Sequence, residues 1–444
     1  MTYKQRLVLL ATIVGSGIVI LDGTVVNVAL PALGRELHGS FADLQWVIDG
    51  YLLSLSSLIL VGGSLEDIFG RKKMYLAGLV GFGVASLLCG LAPNTGALIG
   101  LRVVQGVFGA LLVPGGLAII NTNFPEGQRG RAIGQWAAWS ALAAAVGPPF
   151  GGLLVDNWSW RWIFFINVPL VIACMALGLH NIRESHAPGK HWLDWRGAIL
   201  AIVGLAGITY GLIEGPVTHW AFSAIVAIAI GMVSLGLFLL AEWRERDPMV
   251  RLTLFASRNF SAANITTFAM YGALSGFFFA LVIYLQTTMS YSTLQAGLSG
   301  LPITLLLLTL SSRIGVLAGR LGPRLFMTIG PLLTSVAMVL LYGLRPGDSY
   351  ALHVLPGVVL FGLGMALLVA PLTITVMSSV SKEHSGIASG INNAVSRVAG
   401  LIVIALLGLF GAIHAYRFTL ALCALLAAVA GLTSWLLVRN PVKE

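Results

Sequence analysis

The sequence predicts an all-α integral membrane protein with fourteen transmembrane helices. Three observations predict it. First, 57% of the 444 residues are hydrophobic and only 10% are charged, with a mean hydropathy of +0.91, whereas a soluble globule carries about 25% charged residues. Second, the apolar runs reach spanning length and carry Gly, Pro and Trp, unlike the short alternating strands of an outer-membrane barrel. Third, Lys and Arg gather in every second gap between those runs.

At about 20 residues per span, the helices are expected in the following order. The first is 7–30; Lys4 and Arg6 before it mimic a signal peptide, but the run is too long and carries Asp22 and Asn27, so it is read as a retained span. Next come 42–64, carrying Asp49; 74–92, after the basic Arg71–Lys72–Lys73; 96–120, carrying Arg102; and 131–155, carrying the paired prolines. Segment 161–180 follows a Trp-rich turn, 197–214 ends on Glu214, and 218–241 follows directly. The remaining spans are 259–285, 293–313, 324–343, 351–375, 386–410 (with Arg397) and 415–438. The loops are short, leaving no room for a soluble domain.

The basic residues set the topology. With the N-terminus inside, 20 of the 26 fall on the inner side, among them Lys190, Arg246, Lys382 and Lys443; only Arg35, Arg161, Arg345 and Arg417 fall outside. Arg102 and Arg397 lie within helices. This asymmetry is the positive-inside pattern, with both termini cytoplasmic, although two helices fewer would keep the same parity. It also accounts for the net charge of +9 without a nucleic-acid surface, which would need that charge as a patch on one folded face. Cys89, Cys174 and Cys423 lie in apolar segments with no disulfide or metal spacing. No phosphate loop, metal motif or nucleophile elbow is present, so no cofactor, ATP hydrolysis or other enzymatic activity is expected.

An internal echo links "GSLEDIFGRKK" (63–73) with "GVLAGRLGPRL" (315–325): Gly63, Leu65 and Gly70 match Gly315, Leu317 and Gly322. Both stretches follow the second helix of a six-helix set. Two repeated bundles are expected, 1–180 and 259–444, with linkers and two inserted helices in 181–258. Repeated halves around a cleft are a transporter plan.

Ionisable residues inside spans are costly and mark function. At 1.5 Å per residue, Asp22 lies about 12 Å, and Asp49 and Arg102 about 10 Å, from the outer ends of their helices. An arginine beside two carboxylates neutralises one and leaves the other to exchange a proton with the outside; the alternative is a fixed ion pair bracing the bundle. Gln105 shares a stripe with Arg102 and Gly109. With Gln45 and Trp46 in the first half and Asn393 and Arg397 in the second, it is assigned to the substrate cavity. Arg397 either binds an anionic substrate group or meets a carbonyl. Glu214 reads as an interfacial residue beside a turn, and the tryptophans as an aromatic belt. In "AAVGPPFGGLLV" (144–155), Gly147 and Gly151 leave a smooth face for close packing. Pro148 and Pro149, with Gly152, put a kink where the two bundles would meet, so the stretch reads as a hinge face between the halves; a kink required only for packing is the alternative.

"LDGTVVNVALP" (21–31), "GSLEDIFGRKK", "RVVQG" (102–106), "GPPFGG" (147–152) and "WRWIFFINVP" (160–169) occur in register. Together they resemble the major facilitator superfamily, in its fourteen-helix drug:proton antiporter branch, over the whole chain. The resemblance implies a major-facilitator fold, alternating access and efflux driven by proton entry. It links Asp22 and Arg102 to proton coupling, the Gly147–Gly152 element to antiport, and Gly63, Asp67, Gly70 and Arg71 to a cytoplasmic gate. Two departures imply a weaker or differently partnered gate: Ile68 where Arg is usual, and Gly319 in place of the second-copy acid.

The expected activity is therefore proton-coupled export of amphipathic or hydrophobic drugs across an inner (plasma) membrane, by a monomer whose partners are small-molecule substrate, protons and membrane lipids. Asp22 ranks first as proton carrier and Asp49 second. Export of a lipid or one endogenous metabolite, or a non-transporting sensor, are the alternatives.

Overall fold

The structure is a computed structural model that describes residues 1–186, 194–245, 248–381 and 385–440, apart from the side chains of 385–386 and 410–415. Lys190, Arg246, Lys382 and Lys443 lie outside the described residues. Among the described residues, fourteen helical segments are long and apolar enough to span a membrane, as the sequence predicts.

The first six spans are α1 (Tyr3–Glu36), α2 (Phe41–Phe69), α3 (Arg71–Gly90), α4 (Thr95–Asn123), α5 (Glu126–Asn157), and α6 (Trp162–Phe165) continued by α7 (Asn167–Asn181). Next come α8 (Trp195–Val217) and α9 (Phe222–Arg244). The last six are α10 (Arg258–Thr287), α11 (Thr293–Ser299) continued by α12 (Leu301–Leu321), α13 (Pro323–Tyr342), α14 (Leu355–Ser378), α15 (Ser385–Leu407) and α16 (Gly411–Leu437). Polar caps set several starts: Ser40 and Asp43 form a capping box on α2, Ser292 and Gln295 one on α11, each satisfying backbone donors that the helix leaves free. Several helices run past the sequence estimate. α2 continues to Phe69 rather than 64, and α5 begins at Glu126 rather than 131, because amphipathic turns extend beyond the strictly apolar run.

Packing is denser within each set of six than between them. One core joins α1–α4 and α7 through Val19, Tyr51, Tyr75, Phe82 and Ile120. Another joins α10 and α13–α16 through Phe277, Met338, Phe361 and Leu420. α8 and α9 form a hairpin in which Gly204, Gly207, Gly211 and Gly231 face the neighbouring helix at close range, the small-residue packing that holds helices together in lipid. α8 also packs on α2 and α15.

The echoed turns share one conformation. Gly70 has φ +105° and Gly322 φ +90°, a region that favours glycine. Each is covered by an acceptor from the end of its own six-helix set that caps the next helix. The Glu184 carboxylate accepts the N–H of Lys72 (3.0 Å) and Lys73 (3.1 Å), and the Asn440 side chain accepts that of Arg324 (3.1 Å). Arg71 donates to Asp67 at 2.9 Å, one turn back across the first of these turns.

The two sets of helices lock together at the end opposite the chain termini. Asp156 at the end of α5 accepts the backbone N–H of Thr293 (3.0 Å) and Leu294 (2.8 Å) at the start of α11. Gln286 donates to the Val28 carbonyl at 2.9 Å, and Gln45 to the Ile404 carbonyl at 2.5 Å. Towards the termini, α2 stays beside α15, with Leu60 near Gly390. Among the described residues, α5 and α12 share no hydrogen bond, and Trp139, Leu142, Leu305 and Val316 on these helices are exposed.

Candidate functional site

Asp22 is fully buried near the middle of α1. Its Oδ2 accepts from Arg102 Nη1 at 2.5 Å; its Oδ1 accepts from Gln105 Nε2 and Asn167 Nδ2, both at 3.0 Å. Arg102 also donates to Gln105 Oε1 at 2.7 Å and to the Val47 carbonyl at 3.1 Å, and its guanidinium lies 4.2 Å over the Tyr51 ring. Ser86 supports the network from α3, accepting from Asn167 at 3.0 Å and donating to the Phe164 carbonyl at 2.9 Å. Four helices therefore meet in one closed polar knot, with α2 joined through its backbone. The depth estimate brings Asp22 and Arg102 together, as the structure does.

Asp49 departs from expectation. Arg102 does not serve both carboxylates, because Asp49 points from another face of α2. Tyr51, Ser54 and Leu55 face α1 and α4, whereas Gln45 and Leu52 face α15. Asp49 shares that second face by helical spacing, one turn inside Gln45. It is fully buried, and neither carboxylate oxygen has a hydrogen-bond partner; Gln45 Oε1 also lacks one.

Three of the five expected cavity residues are engaged elsewhere: Gln45 in the contact between halves, Gln105 in the Asp22 knot, and Trp46 as donor to Glu214 at 2.8 Å. Their amides and indole are used to close the helices on one another. Asn393 is exposed, its amide donating to the Ser389 carbonyl. Arg397 is half-buried. A separate cavity of about 360 Å³ lies between the N-terminal halves of α1 and α5, lined by Arg6, Leu10, Ile13, Arg131, Gln135 and Trp139 among others. None of the five expected cavity residues lines it.

The glycine–proline element divides by face. Cβ atoms on Gly147 and Gly151 would strike Thr24 and Val25 of α1, inside the first half. One on Gly152 would come within 2.6 Å of the Leu294 backbone, and Gly297 of α11 packs on the Pro148 carbonyl in return. The contact between halves is thus made by Gly152 and Pro148, and the G-x-x-x-G face belongs to α1.

Asn167, Ser86, Asp156 and Glu66 join these sites with little to mark them in the sequence. Asn167 lies within "WRWIFFINVP", where one amide in an apolar run is the only signal. Glu66 is 1% exposed between Gly115 and Tyr75, next to the more visible Asp67. Replacing Asn167 by Val removes one donor to a buried carboxylate, at an expected cost of about 1–3 kcal/mol. A lowered thermal midpoint in detergent, larger than that for Ser86→Ala, checks this.

The comparisons with known proteins agree with this architecture. Residues 12–404 match the model of the Major Facilitator Superfamily. The chain belongs to that superfamily. The puromycin resistance protein of Streptomyces alboniger is 34% identical over 451 residues, covering 95% of this chain and 89% of the relative. The multidrug resistance protein Stp of Mycobacterium tuberculosis is 35% identical over 410 residues, covering 92% and 76%. A solved bacterial homologue of the human lysosomal transporter Spinster, in an inward-facing and unoccupied conformation, aligns with a TM-score of 0.72 over 98% of this chain and 97% of its own. At 14% identity that likeness shows the major-facilitator fold alone.

Proposed function

We propose that this major facilitator protein is a proton-coupled antiporter that exports amphipathic, hydrophobic drugs across a plasma membrane, with both chain ends in the cytoplasm. Relatives named for puromycin and multidrug resistance, aligned over nine-tenths of the chain, support the substrate class. The observation that carries proton coupling is Asp49: a fully buried carboxylate with no partner on either oxygen, on the α2 face whose Gln45 meets α15.

An unpaired charge buried in a membrane protein is costly and is retained where it works. Asp49 sits one turn inside Gln45, whose Oε1 also lacks a donor. A proton on Asp49 supplies the donor this face lacks. Separation of α2 from α15 at the outer end exposes the carboxylate to outside water; closure carries the proton inward. Asp22, tied by three donors, is less free to exchange and is assigned instead to holding α1, α2, α4 and α7 together as one moving body. Residues 1–180 and 259–444 are the two bodies, with 181–258 bridging them. Drug enters from the terminal face between α5 and α12; Asn393 and Arg397 of α15 are assigned to its polar contacts. The Asp67–Arg71 turn steadies that face.

The test is gradient-driven movement of a lipophilic cation dye in proteoliposomes. Wild type is expected to move dye when a pH gradient is imposed, and Asp49→Asn to move it at least about ten-fold more slowly, the rate change that about 1.4 kcal/mol on a barrier produces. Equal rates for the two proteins overturn the assignment of Asp49. No movement by wild type overturns drug–proton antiport.

A further inference from the structure

The inserted helices carry a carboxylate that the reading above does not use. Glu214, near the outer end of α8, accepts the Trp46 indole N–H at 2.8 Å. Trp46 and Asp49 are three residues apart on α2, so their Cβ atoms lie about 5–6 Å apart. Glu214 is partly exposed, while Asp49 is fully buried one turn deeper. Gly408, just past α15, lies against both the Gln45 amide and the Leu212 carbonyl of α8. Hence α2, α8 and the end of α15 meet at one level, with Glu214 on the water side of the meeting point and Asp49 on the inner side.

From this arrangement, which rests on the proton-coupled reading, we infer that Glu214 is a second proton-handling residue, passing a proton between outside water and Asp49. Water outside protonates the Glu214 carboxylate. The proton then moves to the Asp49 carboxylate, leaving Glu214 ionised again and Asp49 neutral. Ionised Glu214 accepts a charge-assisted hydrogen bond from Trp46, about twice as strong as its neutral counterpart. Protonation therefore loosens α8 from α2 while the proton is in transit.

No described cation competes for Glu214. From α2 the titratable groups are Asp49, one turn inward of Trp46, and Asp43, one turn outward and held by Ser40 in the capping box. α9 has charges only at its far end, Glu242 and Arg244, and Arg397 on α15 lies about two to three turns inward of Gly408. On the α8 side the neighbours are Tyr210, whose ring lies 6.4 Å from that of Trp46, and exposed His219 beyond the turn.

Two readouts test this. In proteoliposomes, Glu214→Gln is expected to slow gradient-driven dye movement at least ten-fold and to flatten its dependence on outside pH, with Glu214→Asp restoring most of both. Trp46→Phe, which removes the hydrogen bond but keeps the carboxylate, is expected to retain the pH dependence. The second readout needs no transport: infrared difference spectra of the purified protein between acid and alkaline buffer. A protonated-carboxyl band that disappears in Glu214→Gln and shifts in Asp49→Asn supports the inference. A pH profile or carboxyl band unchanged by Glu214→Gln overturns it, as does equal flattening by Trp46→Phe, which makes the contact a clamp only. An inert wild type with the infrared band intact overturns dye export but supports proton handling at this pair.

Discussion

Arg102→Met is expected to leave little folded protein, and Arg102→Met combined with Asp22→Asn to recover it. Arg102 and Asp22 are 1% and 0% exposed and pair at 2.5 Å. Removing one partner of such a pair leaves a buried charge without compensation, at a cost of about 3–5 kcal/mol. Replacing both removes the charge problem altogether, and Asn keeps an acceptor for Gln105 and Asn167. Met also fills much of the space over Tyr51. The check is the monodisperse fraction eluting from size exclusion in mild detergent. A single variant as monodisperse as wild type refutes the bracing role given to the pair; a double variant no better than the single shows that Arg102 matters through its contacts with Val47 and Tyr51 rather than through the charge of Asp22.

That pairing was legible in the sequence because depth along a helix can be counted from its ends. The fourteen spans were legible for the same reason, since the bilayer demands a minimum apolar length. Direction around the helix axis was the harder quantity. Consecutive residues turn by about 100°, so Asp49 and Tyr51, at nearly equal depth, face opposite ways: one to the seam with α15, the other to Arg102. Gly151 and Gly152 are adjacent, yet one packs on α1 and the other on α11. Contacts between the halves carry even less local signal. Asp156 at the end of α5 gives no hint that its acceptors meet the N–H groups of Thr293 and Leu294, 137 and 138 residues away. The positive φ of Gly70 and Gly322, by contrast, leaves a mark in the echoed stretches, whereas His38, His219, Trp220 and Ser290 adopt positive φ with no glycine to signal it.

Gly152→Val is expected to hold the outer end open and bring gradient-driven transport to a near halt. The atoms that a Cβ would meet at Gly152 are the Leu294 Cα and N and the Thr293 carbonyl oxygen. Backbone atoms cannot turn aside as a side-chain tip can, so α11 as a whole has to retreat. Retreat pulls Thr293 and Leu294 off the Asp156 carboxylate and Gly297 off the Pro148 carbonyl. Overpacking of this kind costs about 1–3 kcal/mol in the closed state, a shift of about 5–150-fold towards the outward-open one. In the proposed antiport cycle, a carrier that cannot close outside cannot return its proton inward, so the lost step is the whole cycle. Spin labels at Asn157 and Thr287, exposed outer ends on opposite halves, are expected to report a longer distance in Gly152→Val than in wild type. Gly151→Ala serves as the control: its new methyl group presses on Val25 and Val28 of α1, within the first half, so it lowers thermal stability without lengthening that distance. An unchanged distance and rate in Gly152→Val show that the α5–α11 contact does not gate the outer side; lengthening by both variants makes the prolines and glycines a packing feature of the first half rather than its meeting surface with the second.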